Sequence, residues 1–203
     1  MKIGLDFDNT IVSYDDLSYQ VAFEQGFIQE NIPRNKVSVR DHLRSKGLEQ
    51  NWIELQGLIY GPRMKDASIF EGFIEFIIEA KKRQHEIFII SHKTRYPFVG
   101  LKYDLHAAAR EWIEKNLFYE NDQLISEKNI YFEVSKADKI TRIKDLGCNI
   151  YIDDLPEILK DLEIFPSISR VLFDPERHHS NLKCAAHLER WDIAWDLLDA
   201  LNL

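Results

Sequence analysis

The sequence predicts an α/β fold: a parallel sheet covered by helices on both faces, with a small all-helical insert. Three observations carry this. Short apolar runs recur at residues 2–7, 86–90, 129–134, 149–152 and 170–173. Between them lie segments whose apolar residues return at helical spacing, and such alternation argues for parallel strands joined by crossover helices. Residues 14–66 break the pattern and contain no convincing strand.

Lys2 to Phe7 reads as the first strand. Leu17, Val21 and Phe23, then Leu43, Trp52, Leu55 and Leu58, read as helical, with Pro33, Gly47, Gly61 and Pro62 as punctuation and Gly61-Pro62 as a hinge. Residues 1–13 and 67–203 therefore form the expected core domain, and 14–66 the expected helical insert. Ser68-Ile69-Phe70-Glu71 fits a capping box. It would open a helix with Phe70, Phe73, Ile74, Ile77 and Ile78 on one face. Lys81-Lys82-Arg83 ends that helix, where cations suit the dipole. Glu86 to Ile90 reads as a buried strand. Asp104 is placed to cap a helix carrying Leu105, Ala108, Ala109, Trp112 and Ile113. Asn129 to Val134 is the next strand. Ser135-Lys136-Ala137-Asp138 is a second capping box, and its helix carries Ile140, Ile143 and Leu146 before Gly147, a suitable left-handed terminator. Asn149 to Ile152 and Arg170 to Phe173 complete the strands, and Leu188, Trp191, Trp195 and Leu198 make the stripe of a final helix.

Composition narrows the functional classes. The 203 residues are 45% hydrophobic and 30% charged, which excludes wholesale disorder and a fibrous repeat. Cys148 and Cys184 are too few for a disulfide framework and point to a reducing compartment. A net charge of -8, with no long Lys/Arg run, argues against nucleic acid as a partner. Asp6 and Asp8 interrupt the first apolar run too early for a signal peptide, and no stretch is long enough to span a membrane. The expectation is a cytoplasmic protein with no membrane partner. Oligomeric state is not readable.

Ligands of such sheets gather at the carboxyl ends of strands, and there the sequence is informative. The first strand ends Asp6-Phe7-Asp8-Asn9-Thr10, and a tandem Asp153-Asp154 follows another apolar strand. Adjacent parallel strands would bring these acids together, where they repel unless a cation sits among them. All-oxygen donors suit Mg²⁺. Ser91 ends a third strand, and Lys136 stands at a helix start, where an ammonium and helix N–H groups make an anion site. A carboxylate nucleophile, an acid, a hydroxyl, an ammonium and a metal cage suit phosphoryl transfer.

In these motifs the chain resembles the haloacid dehalogenase-like hydrolase superfamily. Asp6-x-Asp8-x-Thr10 matches its first motif, Ser91 the second, Lys136 (less well Lys139) the third, and Asp153-Asp154 the fourth. They fall in the family's order and bracket about three quarters of the chain. The resemblance implies a three-layer Rossmann-like parallel sheet, with 14–66 as a small helical cap that shapes specificity. It implies a Mg²⁺-dependent phosphomonoesterase. Asp6 would be the nucleophile forming an aspartyl-phosphate, and Asp8 the general acid and then base. An Asp at position 8 resembles the phosphatases rather than the dehalogenases of the superfamily. Asn9, Thr10, Ser91, His92 and Lys136 would bind the phosphoryl group. The metal would be held by Asp6, by Asp8 through its backbone carbonyl, and by Asp154 or Asp153, with Glu157 nearby. The substrate expected is a small phosphorylated metabolite, a sugar phosphate first and a nucleotide second. A phosphotransferase or mutase of the same fold and a catalytically silent phospho-ligand module are the alternatives. A receiver-type signalling domain is disfavoured, because its tandem acids lie on the first strand.

Other features have plainer readings. His92-Lys93-Thr94-Arg95-Tyr96 could contact a second anionic group or stack on a sugar or base, or it is a solvated loop. His178-His179, with Cys184 and His187, lacks a zinc-knuckle spacing and reads as a surface loop. The tryptophans read as core, with Trp52 the one to watch, Cys148 as an inert small hydrophobe, and Asp174-Pro175 as a turn.

Overall fold

The computed structural model describes residues 1–29, 31–120, 122–183 and 185–201. Cys184 lies outside the described residues. In chain order the strands are β1 (Lys2–Leu5), β2 (Val12–Ser13), β3 (Ser68–Ile69), β4 (Glu86–His92), β5 (Phe118–Tyr119), β6 (Asp122–Gln123), β7 (Ile130–Glu133), β8 (Ile150–Asp153), β9 (Ser169–Phe173) and β10 (Ala186–Leu188). The helices are α1 (Asp15–Glu24), α2 (Lys36–Ser45), α3 (Glu49–Tyr60), α4 (Phe73–Lys82), α5 (Leu105–Asn116), α6 (Lys136–Asp145), α7 (Pro156–Asp161) and α8 (Ala194–Ala200).

The chain divides into two compact units: Met1–Val12, Ile69–Lys93 and Leu117–Leu203, and then Ser13–Ser68 with Thr94–Asn116. The first holds a six-stranded sheet in the order β10-β9-β8-β1-β4-β7. Every pairing is parallel. The chain runs from β1 outward to β4 and β7, then returns to the other side of β1 for β8, β9 and β10. The switch point therefore lies at β1, between β8 and β4, and its carboxyl end is where the topology leaves room for a ligand.

Both faces of the sheet are covered. On one, α6, α7 and the 3-10 turn after it (Leu162–Ile164) pack Ile143, Ile158, Leu159 and Leu162 against Phe88, Ile90, Tyr151 and Leu172. Cys148 belongs to this buried cluster, and burial pushes its thiol up to about 12, which keeps it inert. The other face is aromatic. Phe173 lies 4.8 Å from Phe70 and 5.3 Å from Trp191, and Trp191 is 5.0 Å from Phe73 and 4.8 Å from Phe76. Gly4 sits mid-strand because nothing larger fits: an added Cβ would lie 2.7 Å from Tyr151 Cδ2 and 3.0 Å from Cys148 Sγ.

The second unit has its own core. Val39, Leu43, Trp52, Leu55, Ile59, Leu105 and Trp112 are all buried, so Trp52 is packing. The insert expected at 14–66 lies within this unit, together with 94–116. Asp104 caps α5 as expected, accepting from the Ala107 N–H at 2.9 Å. Among the described residues, no helix is long and apolar enough to cross a membrane.

Several local expectations need correction. Ser68 does not cap a helix but pairs in the short β2-β3 ladder. α4 starts after Gly72, whose φ of 82° is left-handed and where a Cβ would lie 2.7 Å from the Asp192 nitrogen. Leu188 belongs to β10, and the final helix begins only at Ala194, after a 3-10 turn at Trp191–Ile193. The helical spacing of Leu188 and Trp191 is incidental, since each residue reaches the core from a different element.

Candidate active site

β1 stops at Leu5, but the Asp6 N–H still donates to the Ile152 carbonyl of β8 at 2.9 Å. Asp6 is thus fixed at the switch point. The chain then turns back, with the Ile11 and Val12 N–H groups both on the Phe7 carbonyl, at 3.0 and 3.1 Å. Asn9 closes that turn at φ 60°, a left-handed conformation that Asn tolerates better than most residues. Thr10 is wholly buried, and its hydroxyl finds no hydrogen-bond partner. Its carbonyl accepts from the Trp191 indole at 3.0 Å. Through that carbonyl Thr10 ties the loop to Trp191.

Lys139 organises the centre of the site. Its Nζ donates to Asp6 Oδ1 and to Asp153 Oδ2, 2.6 Å each, with all three side chains essentially out of water. Burial pulls the Lys139 ammonium down, but the attractions of Asp153 and Asp6 outweigh it and hold it above its ordinary value. The Asp6 carboxyl is raised to about 7. Burial is the main cause; Lys139 opposes it, and repulsion from Asp153 and Asp8 adds to it.

Of the two lysines that the sequence offered, Lys139 is the one the structure places beside Asp6. Lys136, at the start of α6, is about half exposed and bonds Glu157 at 2.8 Å. Lys139, one turn later, points inward. The capping box that drew attention to Lys136 is real, since Ser135 Oγ accepts from the Asp138 N–H at 3.1 Å. It fixes where the helix begins, not which of its lysines faces the sheet. Periodicity does not tell them apart, because Lys136 precedes Ile140 and Ile143 at the same spacing by which Lys139 precedes Ile143 and Leu146; the packing of α6 on the sheet decides it.

Asp6, Asp153 and Asp154 each offer a carboxylate oxygen within 4.8 Å of the others. An octahedral cation with oxygens at about 2.1 Å sets its cis and trans ligands about 3.0 and 4.2 Å apart, so small side-chain rotations would close the set. The donors are all hard oxygens, which fits Mg²⁺. Both Asp153 oxygens are engaged, Oδ2 by Lys139 and Oδ1 by the Leu155 N–H at 2.9 Å. Asp154 is partly exposed.

Asp8 is held apart from this group. Both of its oxygens accept from Lys93 Nζ, at 2.8 and 2.7 Å. The sequence offers a ligand-facing or a solvated loop for Lys93, yet it is buried. The strand register continues past β4: Lys93 falls on the same parity as Ile87, Ile89 and Ser91, and its N–H extends the ladder to the Glu133 carbonyl at 2.8 Å. Ser91 is buried at the end of β4. His92 turns the other way, its Nε2 3.2 Å from the Val134 carbonyl. Arg95 pairs with Asp104 at 3.1 Å within the second unit. Asp174 accepts from the His178 and His179 N–H groups at 2.9 and 2.7 Å, so that histidine pair belongs to an anchored turn.

No family model matches this chain. A proposed nucleotidase of Oceanobacillus iheyensis is 21% identical over 198 residues, covering 94% of this chain and 95% of that protein. A haloacid dehalogenase hydrolase from Entamoeba histolytica superposes with a TM-score of 0.62 at 14% identity, over 100% of this chain and 99% of that one. An archaeal β-phosphoglucomutase from a Pyrococcus strain gives 0.59 at 13% identity, over 99% and 98%. A phosphoserine phosphohydrolase-like protein from Francisella tularensis gives 0.52 at 15%, with both chains fully covered. A six-stranded parallel sheet with Asp6 and Asp8 at its switch point, aligned end to end with these structures, has the haloacid dehalogenase-like fold.

Proposed function

We propose that the protein is a Mg²⁺-dependent phosphomonoesterase of small phosphorylated metabolites, working through an aspartyl-phosphate on Asp6. The observation that carries this reading is the buried Asp6 carboxylate, bonded to Lys139 and grouped with Asp153 and Asp154 at the carboxyl end of the sheet. The proposed nucleotidase among its relatives supports nucleoside monophosphates as the first substrates to try.

Asp6 attacks phosphorus, the bond to the ester oxygen breaks, and the departing alcohol takes a proton with Asp8 as donor. Water then attacks the aspartyl-phosphate, Asp8 accepts its proton, and inorganic phosphate leaves with Asp6 restored. Ser91, at the end of β4, supplies a hydroxyl to the phosphoryl oxygens, and Lys139 holds Asp6 in place while offsetting negative charge. Asp6, the Asp8 carbonyl and Asp154 would hold the cation, because Asp153 already spends both oxygens on Lys139 and Leu155. Bound there, Mg²⁺ supplies charge neutralisation for the phosphoryl oxygens. Residues 14–66 serve as the cap that selects substrate.

The test is phosphate release from a panel of nucleoside monophosphates and sugar phosphates, with Mg²⁺ or EDTA, using wild type and Asp6→Asn. Metal-dependent turnover lost in Asp6→Asn supports the mechanism. Turnover that survives in Asp6→Asn refutes it.

A further inference from the structure

Lys93 combines three observations that a solvated loop lysine does not. Its side chain is 3% exposed, its ammonium meets both oxygens of one carboxylate, and its backbone is tied into the sheet at Glu133. The ammonium also lies 5.6 Å from the centre of the Phe7 ring, on the residue between the two site acids. A buried charge is costly unless its partner is fixed, so the arrangement specifies the orientation of Asp8 as firmly as it satisfies Lys93. It also divides the site acids. Lys139 serves Asp6 and Asp153, while Lys93 serves Asp8, which stands outside the Asp6-Asp153-Asp154 group.

We propose that Lys93 is the positioning residue for Asp8 in the second half of the reaction, holding its carboxylate where it accepts a proton from the attacking water. The proposal rests on the phosphomonoesterase reading. In that step the water oxygen bonds to phosphorus and the bond from phosphorus to the Asp6 oxygen breaks. The water proton passes to Asp8, and inorganic phosphate is released. The ammonium fixes the direction of the carboxylate and leaves each oxygen a second lone pair for the water proton, and a misoriented carboxylate would leave the aspartyl-phosphate standing.

The substrate that isolates this half is p-nitrophenyl phosphate, whose leaving group departs without help from an acid. With Mg²⁺ present, Lys93→Met should lower kcat about 100-fold, the order of a lost general base. KM should fall in parallel, because kcat/KM reports only the steps through departure of the first product. A burst of about one p-nitrophenolate per enzyme should precede the slow steady state. Lys93→Arg, which keeps a charged donor, should recover part of kcat. A Lys93→Met enzyme whose kcat/KM falls with kcat, without a burst, overturns the proposal. If Lys93→Met does not fold, Asp8→Asn and Asp8→Asn/Lys93→Met are compared instead, since the double variant strands no buried charge. Equal kcat supports action through Asp8, and a further loss above about tenfold overturns it. Folded wild type that binds Mg²⁺ but turns over no phosphomonoester overturns the parent reading, and this proposal with it.

Discussion

Removing the Lys139 ammonium should cost far more than removing that of Lys136, although both lysines lie on the same helix. Lys139→Met deletes a cation that is 1% exposed and leaves two carboxylates that are 5% and 0% exposed facing each other. Breaking a buried pair from one side costs about 3–5 kcal/mol. For a chain of this size that is a fall of about 6–20 °C in melting temperature. Lys136 and Glu157 are about half exposed, and such a pair contributes about 0–1 kcal/mol. The loss in Lys139→Met should also depend on pH. Lys139 is what restrains the Asp6 carboxyl from rising above about 7. Without it Asp6 stays protonated to higher pH, so the deficit sits at the lower end at pH 6 and at the upper end at pH 8. Urea unfolding of wild type and both variants, at both pH values and with or without Mg²⁺, measures this through the midpoint at constant slope. Mg²⁺ should stabilise Lys139→Met more than wild type, because the cation then meets uncompensated acids. The reasoning is refuted if Lys139→Met unfolds at the wild-type midpoint without metal, or if Lys136→Met loses as much.

Three further outcomes are expected. In wild type the Asp6 carboxyl sits near 7 when folded against about 3.9 unfolded, so metal-free stability should decline as pH rises from about 4 to about 7 and then level off. Protons compete for the same oxygens, so the melting shift produced by Mg²⁺ should grow over that range; a shift independent of pH would remove Asp6 from the ligand set. Gly4→Ala should cost about 1–3 kcal/mol by overpacking, read as a lower urea midpoint. Tyr151, which blocks the new methyl, is itself fixed by a 2.5 Å bond from its hydroxyl to the Ile90 carbonyl, so a neutral result would mean that this ring moves freely.

The parts of the fold that could be read from sequence are those where one interaction dominates. Ile87 to Ile90 and Ile150 to Ile152 are apolar because both faces of the sheet are covered, and runs of that kind announce buried strands. The acids Asp6, Asp8, Asp153 and Asp154 were legible because they follow such strands. β10 was not, since a three-residue edge strand gains its identity from its pairing with β9 and not from its own pattern. The two buried lysines were named, Lys139 as the weaker match to the third motif and Lys93 in a ligand-facing or solvated loop, but their burial was not read. A lysine after a strand or at a helix start invites an electrostatic reading, whereas the burial of Lys93 and Lys139 is set by the packing of the folded chain. Ser68 failed as a cap because the glycine that begins the helix, four residues on, is set by tertiary contact with Asp192.

The bond from the Trp191 indole to the Thr10 carbonyl spans 181 residues of sequence. At synthesis rates of about 5–20 residues per second, the two partners are made about 10–40 seconds apart. The loop that follows Asp6 is thus made well before the indole that clasps it from beneath. A growing chain therefore holds the Asp6–Thr10 segment without this brace until Trp191 is made, so the loop takes its final support only after the strands around it exist.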